Sequence, residues 1–301
     1  MKEVVLITGA NGMLAKSLAQ ELDGKYTLKF LTRHVKEENA YRWDINMKYI
    51  DPEGLRGVNH IIHLAGSSIA DKRWTQKRKR EIKKSRVEGA QLMLDELKKN
   101  NQTIDTFISA SAIGYYGAQT TNEIFTENSP NGDDFLGEVC REWEHVAHSF
   151  KSDHVANNIS IVRFGIILDR DGGALKKIAA PIRFGFGSGV GTGKQWVPWI
   201  HISDLCGMLE FVLAQDTGGT YNAVAPEHVT NNEFTQKVAA ILKRKIVLPN
   251  IPAFFIHLLF GEMAVVLLTG SRVSSDKITD LGYSFKHSKL NDALQNIFSK
   301  N

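Results

Sequence analysis

The run Val4-Val5-Leu6-Ile7-Thr8-Gly9-Ala10-Asn11-Gly12-Met13-Leu14-Ala15 constrains this chain more than any other segment. Four consecutive apolar residues suit a strand buried on both faces. Residues 12–23 then place Leu14, Leu18, Ala19 and Leu22 on one helical face. Gly9 and Gly12 stand between strand and helix. Glycine there permits a tight turn and lets backbone N–H groups approach a pyrophosphate at the helix N-terminus. The spacing is G-x-x-G-x-x-A, a departure from the G-x-G-x-x-G dinucleotide fingerprint, with Ala15 still small enough for close helix–strand packing. Gly9, Asn11, Gly12, Met13 and Leu14 are the residues of this loop expected to touch a dinucleotide.

The alternation continues along the chain. Thr27–Leu31, Val58–Leu64, Thr106–Ser109 and Ile159–Phe164 read as strands, and 74–99 and 134–150 as helices. This pattern predicts an α/β fold, a doubly wound parallel sheet of Rossmann type. After residue 165 the rhythm changes. Residues 185–193, GFGSGVGTG, carry glycine at every second position and read as a loop. Helices are expected over 204–215 and 231–243, with a short strand near Tyr221, and the chain from Pro249 onward reads as mostly helical. The expected division is a dinucleotide-binding domain over 1–225 and a smaller, mostly helical, substrate-side domain over 226–301.

The second strand of such a fold usually ends in an acidic group that binds the ribose 2′-hydroxyl. Here it ends Leu31-Thr32-Arg33-His34, and Arg33 would attract a 2′-phosphate. NADP is therefore expected, with NAD as the alternative. Asp44 follows a short strand and is placed to accept a hydrogen bond from adenine. His63-Leu64-Ala65-Gly66 ends a strand at the carboxyl edge, so Leu64, Ala65 and Gly66 join the cofactor set.

Two cysteines, Cys140 and Cys206, have no Cys-x-x-Cys spacing. Neither structural zinc nor a disulfide framework is expected, and a reducing compartment fits. Met1-Lys2-Glu3 runs straight into Val4–Ile7, too short for a secretory core, so a cytoplasmic protein is expected. The longest apolar stretch, Ile251 to Leu268, is interrupted by His257, Gly261 and Glu262. A mid-bilayer Glu costs a few kcal/mol, so a buried or dimer-facing helix is expected instead of a membrane span. Gly191-Thr192-Gly193-Lys194-Gln195 is faintly P-loop-like but carries Gln195 where Ser or Thr is required.

The net charge is +4, and residues 72–86 alone hold nine basic residues against one acidic one. The basicity thus belongs to one segment. Nucleic-acid binding is the weakest reading of it, because only Trp74 interleaves and no nucleic-acid motif accompanies it. A solvated helix face explains most of the lysines. Arg73, Trp74 and Arg86 are the candidates for an anionic substrate site, since Arg suits bidentate contacts to phosphate or carboxylate.

With these residues assembled, the chain resembles the extended short-chain dehydrogenase/reductase superfamily. Within it, the chain is most similar to the atypical epimerase family, also described as nucleoside-diphosphate-sugar epimerase-like. The likeness runs through TGANGMLA, HLAG, the Asp71–Trp74 run and Ser85-Arg86. It continues in SASAIGYYG (109–117), GDDFLGEVCREWE (132–144), Trp199-Ile200-His201 and PAFFIHLLFGEMAVVLLTGSR (252–272). It implies hydride chemistry, with Ser111 and Tyr116 as catalytic candidates and Tyr115, Trp199 and His201 near the substrate. A typical member also carries Tyr-x-x-x-Lys on a helix, where Lys lowers the Tyr pKa. Anchored on Glu144, this chain places Leu136 at the Tyr and Cys140 at the Lys. Leu cannot exchange a proton and Cys is no cation.

Three outcomes follow from that loss: an acid/base from elsewhere, with Tyr115 or Tyr116 as candidates beside Ser111, a different chemistry, or cofactor binding without turnover. The corresponding functions are an NADP-dependent oxidoreductase or epimerase of a small polar substrate, perhaps a nucleotide sugar, and a non-catalytic NADP-binding regulator. A homodimer is the expected assembly, with no metal, membrane or nucleic-acid partner.

Overall fold

The computed structural model describes residues 2–170, 172–215 and 218–299. Its strands are β1 (Val4–Thr8), β2 (Thr27–Thr32), β3 (Ala40–Asp44), β4 (Tyr49–Ile50), β5 (His60–His63), β6 (Ile104–Ala112), β7 (Ile124–Phe125), β8 (Ala156–Phe164), β9 (Ile166–Leu168), β10 (Trp199–His201), β11 (Gly219–Ala223) and β12 (Arg272–Val273). The helices are α1 (Met13–Leu22), α2 (Pro52–Leu55), α3 (Gln76–Lys99), α4 (Phe135–Ser152), α5 (Gly173–Arg183), α6 (Ile202–Gln215), α7 (Asn231–Ile241), α8 (Ala253–Phe260), α9 (Val265–Leu268), α10 (Asp276–Asp280) and α11 (Leu290–Ser299).

Eight strands form one sheet in the order β11-β8-β6-β5-β1-β2-β3-β4. All pairs are parallel except β3 with β4. The two-residue period of the strands sorts their side chains onto two cores. Val5, Ile7, Ile62, Ile108 and Val162 pack under α1 and α6. Leu6, Leu31, Ile61, Phe107 and Ile161 pack under α3 and α4. This is the doubly wound Rossmann arrangement expected from the alternation. From β1 the chain winds one way through β2 and β3, then crosses back to β5 on the other side. The carboxyl ends of β1 and β5, Thr8 and His63, therefore form the switch point where ligands bind in open α/β sheets.

A second layer lies beyond the sheet. Its core joins α5, α7 and α11 through Leu175, Ala179, Ile182, Phe234, Val238, Leu290 and Leu294. The packing does not divide at residue 225. Helix α5 lies before that point yet packs with α7 and α11, while Ile278 and Tyr283 return to the Rossmann core. The Tyr283 hydroxyl donates to the Asp204 carbonyl at 2.6 Å, closing that return.

The apolar stretch 251–268 is broken into α8, a 3₁₀ turn over Gly261–Ala264, and α9. Among the described residues no helix is long and apolar enough to cross a membrane. Of the two readings of this stretch, buried or dimer-facing, the buried one does not hold for α8: only Ile256 is buried, while Phe254, Phe255, Leu258 and Leu259 are exposed.

Candidate functional site

The first loop is built as a backbone cradle. Gly9 adopts φ +77°, and a Cβ there would stand 3.2 Å from the backbone of Ala65. Only glycine lets the two strand ends approach so closely. Gly12 is the N-cap of α1 and offers no side chain, so the helix N-terminus is left for an anion. Asn11 donates from Nδ2 to Thr32 Oγ1 at 3.1 Å, tying the loop to the end of β2. Leu14 is buried in the first core, and Met13 packs against Gly172 and Gly173.

Thr8 organises the other rim. Its Oγ1 accepts from the amides of Leu64 at 3.0 Å and Ala65 at 3.1 Å. With both lone pairs taken, its proton goes to His63 Nδ1 at 2.8 Å, and the ring keeps its own proton on Nε2. His63 is enclosed by Trp43, Phe107 and Trp143, and burial pushes its pKa down to about 4. Neither Thr8 nor His63 stood out as a contributor in the sequence. Thr8 directly precedes the glycine turn, and that position was the available signal.

Arg33 follows β2 directly, is exposed, and has no ion-pair partner among the described residues. Asp44 ends β3, and its Oδ1 accepts from the amides of Asn46 at 2.9 Å and Met47 at 3.2 Å, holding a turn.

The edge around β6 is different. Ser111 and Tyr116 are both buried, each 2 % exposed. Ser111 donates from Oγ to Glu144 Oε1 at 2.7 Å. Glu144 forms a two-pronged pair with Arg163, through Nε and Nη2, each at 2.8 Å. Arg163 Nη1 donates to the Tyr116 hydroxyl at 3.0 Å, and that hydroxyl donates to Asn222 Oδ1 at 2.6 Å. Burial disfavours the Arg163 charge, but Glu144 overrides it and the pKa is raised. Burial lifts the Tyr116 phenol to about 12. The two expected catalytic oxygens are thus locked inside a satisfied internal network, and Tyr116 is kept protonated.

Tyr115 is half-buried. The Arg163 guanidinium lies 3.4 Å from its ring centre, and its hydroxyl has no hydrogen-bond partner among the described residues. Helix α4 brings Leu136 and Cys140 to the same turn: a Cβ on Gly114 would stand 3.3 Å from Leu136 Cβ and 3.9 Å from Cys140 Sγ. Burial raises the Cys140 thiol to about 11, so it is no thiolate.

The remaining expected residues scatter. Trp74 is buried against Phe135, Ile82, Val139 and Met263, and its indole donates to the Ile69 carbonyl at 2.8 Å. Arg73 donates to the Leu258 carbonyl at 2.9 Å, bracing α8. Each of the two residues thus also makes an internal contact. Trp199 is fully buried in the second layer, and its indole donates to the Glu227 carbonyl at 3.1 Å. His201 is buried, with Nδ1 2.7 Å from Ser203 Oγ and its ring 4.1 Å from that of His287. One of its ring nitrogens, one Asp204 carboxylate oxygen and one His287 ring nitrogen lie within 4.8 Å of one another, but both Asp204 oxygens already accept amides, from Lys286 and His287. Gly66 and Arg86 do meet: a Cβ on Gly66 would stand 3.0 Å from the guanidinium carbon.

The basic run is neutralised in part, through four of its nine cations. Lys83 pairs with Glu138 and Glu142 of α4, Lys79 with Glu262, Lys84 with Glu88 and Arg78 with Glu81. These pairings run mostly between distant segments, which hid them from the sequence.

A parallel sheet with a glycine cradle at its switch point defines the class: a dinucleotide-binding Rossmann protein. Residues 5–135 match the NAD dependent epimerase/dehydratase family, and residues 251–297 match a domain of unknown function. A chloroplastic epimerase family protein of Arabidopsis thaliana is 34% identical over 97% of this chain and 86% of its own length. The chain belongs to the epimerase family. The crystal structure of the human epimerase family protein SDR39U1 with NADPH superposes at a TM-score of 0.89, with 30% identity, over 99% of this chain and all of that one. A nucleoside-diphosphate sugar epimerase from Corynebacterium glutamicum superposes at 0.79 with 28% identity, covering 99% of this chain and 58% of that one.

Proposed function

We propose that this chain is an NADP-dependent oxidoreductase or epimerase acting on a small polar substrate, with a nucleotide sugar as the first class to test. The observation that carries the reading is the cradle itself. Gly9 and Ala65 bring backbone together at the switch point beside the Gly12-capped helix N-terminus, and Arg33, which follows β2 and has no ion-pair partner among the described residues, is the candidate for a 2′-phosphate. The similarity to a human protein solved with NADPH supports the choice of cofactor.

When bound, the nicotinamide supplies or accepts the hydride. The chain must then supply or remove a proton at the substrate oxygen. Ser111 and Tyr116 are committed elsewhere, so the role falls to Tyr115. In the reducing direction its free hydroxyl gives a proton to the carbonyl oxygen as the carbonyl carbon receives hydride, and water restores the phenol. Leu136 and Cys140 favour the second reading, an NADP-binding regulator without turnover.

Loss of NADPH absorbance against a panel of keto-sugar nucleotides separates the two. Turnover that falls about 100-fold in Tyr115→Phe, with NADPH affinity kept, supports the enzyme. Full NADPH binding with no turnover across the panel supports the regulator.

A further inference from the structure

Exposed apolar side chains gather on two segments that run side by side. Phe184 and Phe186 stand in the glycine loop after α5, and Val247 and Leu248 in the connection from α7 to α8. Backbone stitches the two segments together. The Ile251 amide donates to the Gly189 carbonyl and the Gly191 amide to the Ile251 carbonyl, both at 2.9 Å. Gly187 lies against Ile246, where a Cβ would stand 2.6 Å from Cδ1. Helix α8 continues directly from this ladder and adds Phe254, Phe255, Leu258 and Leu259. Single exposed apolar residues are ordinary, but a contiguous block marks a contact surface.

The charge on these segments is of one sign. Residues 172–203 and 234–261 together hold eight Lys and Arg and no Asp or Glu, in a chain with 37 of the former and 33 of the latter. Lys177 pairs with Asp71 and Lys237 with Glu227. The other six, Lys176, Arg183, Lys194, Lys243, Arg244 and Lys245, are exposed and have no ion-pair partner among the described residues. Arg183 directly precedes Phe184, and Lys245 stands two residues before Val247. The acids at the borders are engaged: Glu233 closes the capping box of α7, and Glu262 pairs with Lys79. A second copy docked through this face would set the cations of the two chains against each other. The apolar side chains also protrude, with Phe184 79 %, Phe186 70 % and Leu258 69 % exposed. A protein partner would need a pocket shaped for each of them, whereas the boundary of a bilayer takes them up without one.

We propose that the glycine loop, residues 246–251 and α8 seat this protein on the surface of an anionic lipid bilayer. The Phe and Leu side chains enter the boundary between headgroups and acyl chains, and the Lys and Arg side chains lie over the lipid phosphates. Each cation near an anionic leaflet strengthens such binding about fivefold, and salt weakens the attraction. This amends the expectation of no membrane partner, which rested on the cost of a span. Among the described residues no helix is long and apolar enough to cross, and a surface contact needs none.

The test is cosedimentation of the full chain with vesicles of phosphatidylcholine alone and of phosphatidylcholine and phosphatidylglycerol in equal parts. Wild type is expected to bind the mixed vesicles at least about tenfold more tightly. The double variant Phe184→Ser, Phe186→Ser and the triple variant Lys243→Gln, Arg244→Gln, Lys245→Gln should each weaken that binding at least about tenfold, with the unfolding midpoint unchanged. Lys77→Gln with Arg80→Gln removes exposed cations of the other basic run and should change it less than about twofold. A polarity-sensitive fluorophore on Phe186→Cys should shift to the blue with mixed vesicles, and one on the exposed Met47→Cys should not, since Cys140 and Cys206 are buried and stay unlabelled. No binding to mixed vesicles overturns the proposal. Binding that the Lys77 and Arg80 variant weakens as much as the loop variants do is adsorption by charge alone and also overturns it. A blue shift that grows with protein concentration in the absence of vesicles, with a dimer in analytical ultracentrifugation that the Phe184 and Phe186 variant dissociates, assigns the face to a second copy and overturns it as well.

Discussion

The carboxyl edge of the sheet has two halves that treat polar groups in opposite ways. Around β1, β2 and β5 the edge is mostly backbone, held by glycine and by one threonine, and Arg33 has no ion-pair partner among the described residues. Around β6, α4 and β8 the polar side chains turn inward and satisfy one another through Ser111, Glu144, Arg163, Tyr116 and Asn222. The first half keeps backbone and a cation unengaged among the described residues. The second has spent its hydrogen-bonding capacity on the fold. A family resemblance alone would assign both halves to chemistry, and the hydrogen bonds separate them.

Perturbing each half should therefore have different consequences. The largest effect is expected at Glu144. Glu144→Ala leaves Arg163 buried and unpaired, and denaturant unfolding should show a loss of about 3–5 kcal/mol. A loss under about 1 kcal/mol would show that the inner network is not what holds this edge.

The pH dependence of stability probes the opposite half. His63 has its pKa lowered to about 4, so between pH 6.5 and 4 the unfolded chain binds more protons than the folded one. This contribution is fully present above pH 6.5 and is lost as pH falls, at up to about 1.4 kcal/mol per unit. Removing the imidazole in His63→Asn should flatten that slope in unfolding curves taken across the window.

Gly9→Ala should cost about 1–2 kcal/mol in αL strain, and the crowding against Ala65 should weaken NADPH about tenfold. An unchanged affinity by nicotinamide fluorescence would place the cofactor elsewhere. The smallest effect is expected for Tyr116→Phe, which strands Asn222 and one Arg163 donor for about 1 kcal/mol and should leave cofactor affinity untouched. A selective loss of turnover in that variant would return the catalytic role from Tyr115 to Tyr116.

The two halves also differ in how far the sequence revealed them. The strand–glycine–helix start, the alternation and the HLAG strand end are local patterns, and the sheet and cradle follow from them. Arg33 was readable because its position relative to β2 is local as well. The inner network joins residues 19 to 106 positions apart, so nothing near Ser111 or Tyr116 announced Glu144, Arg163 or Asn222. The packing partners of Trp74, Trp199 and Arg73 were hidden for a related reason. A large aromatic or a long cation in a motif reads equally well as packing, and here distant partners took them: Met263 against Trp74, the Glu227 carbonyl for Trp199 and the Leu258 carbonyl for Arg73. The break of the apolar stretch at Gly261 was visible; the choice between a buried and a dimer-facing α8 was not, because seven of its eight residues are apolar and mark no polar face.

The measurement that bears most directly on the central claim is a paired titration of wild type and Arg33→Ala with NADPH and NADH, followed by nicotinamide fluorescence. The account predicts that wild type prefers NADPH, and that Arg33→Ala loses about tenfold or more in NADPH affinity while NADH is unchanged. Equal affinity for the two cofactors in wild type, or an Arg33→Ala variant that keeps its preference for NADPH, would contradict it.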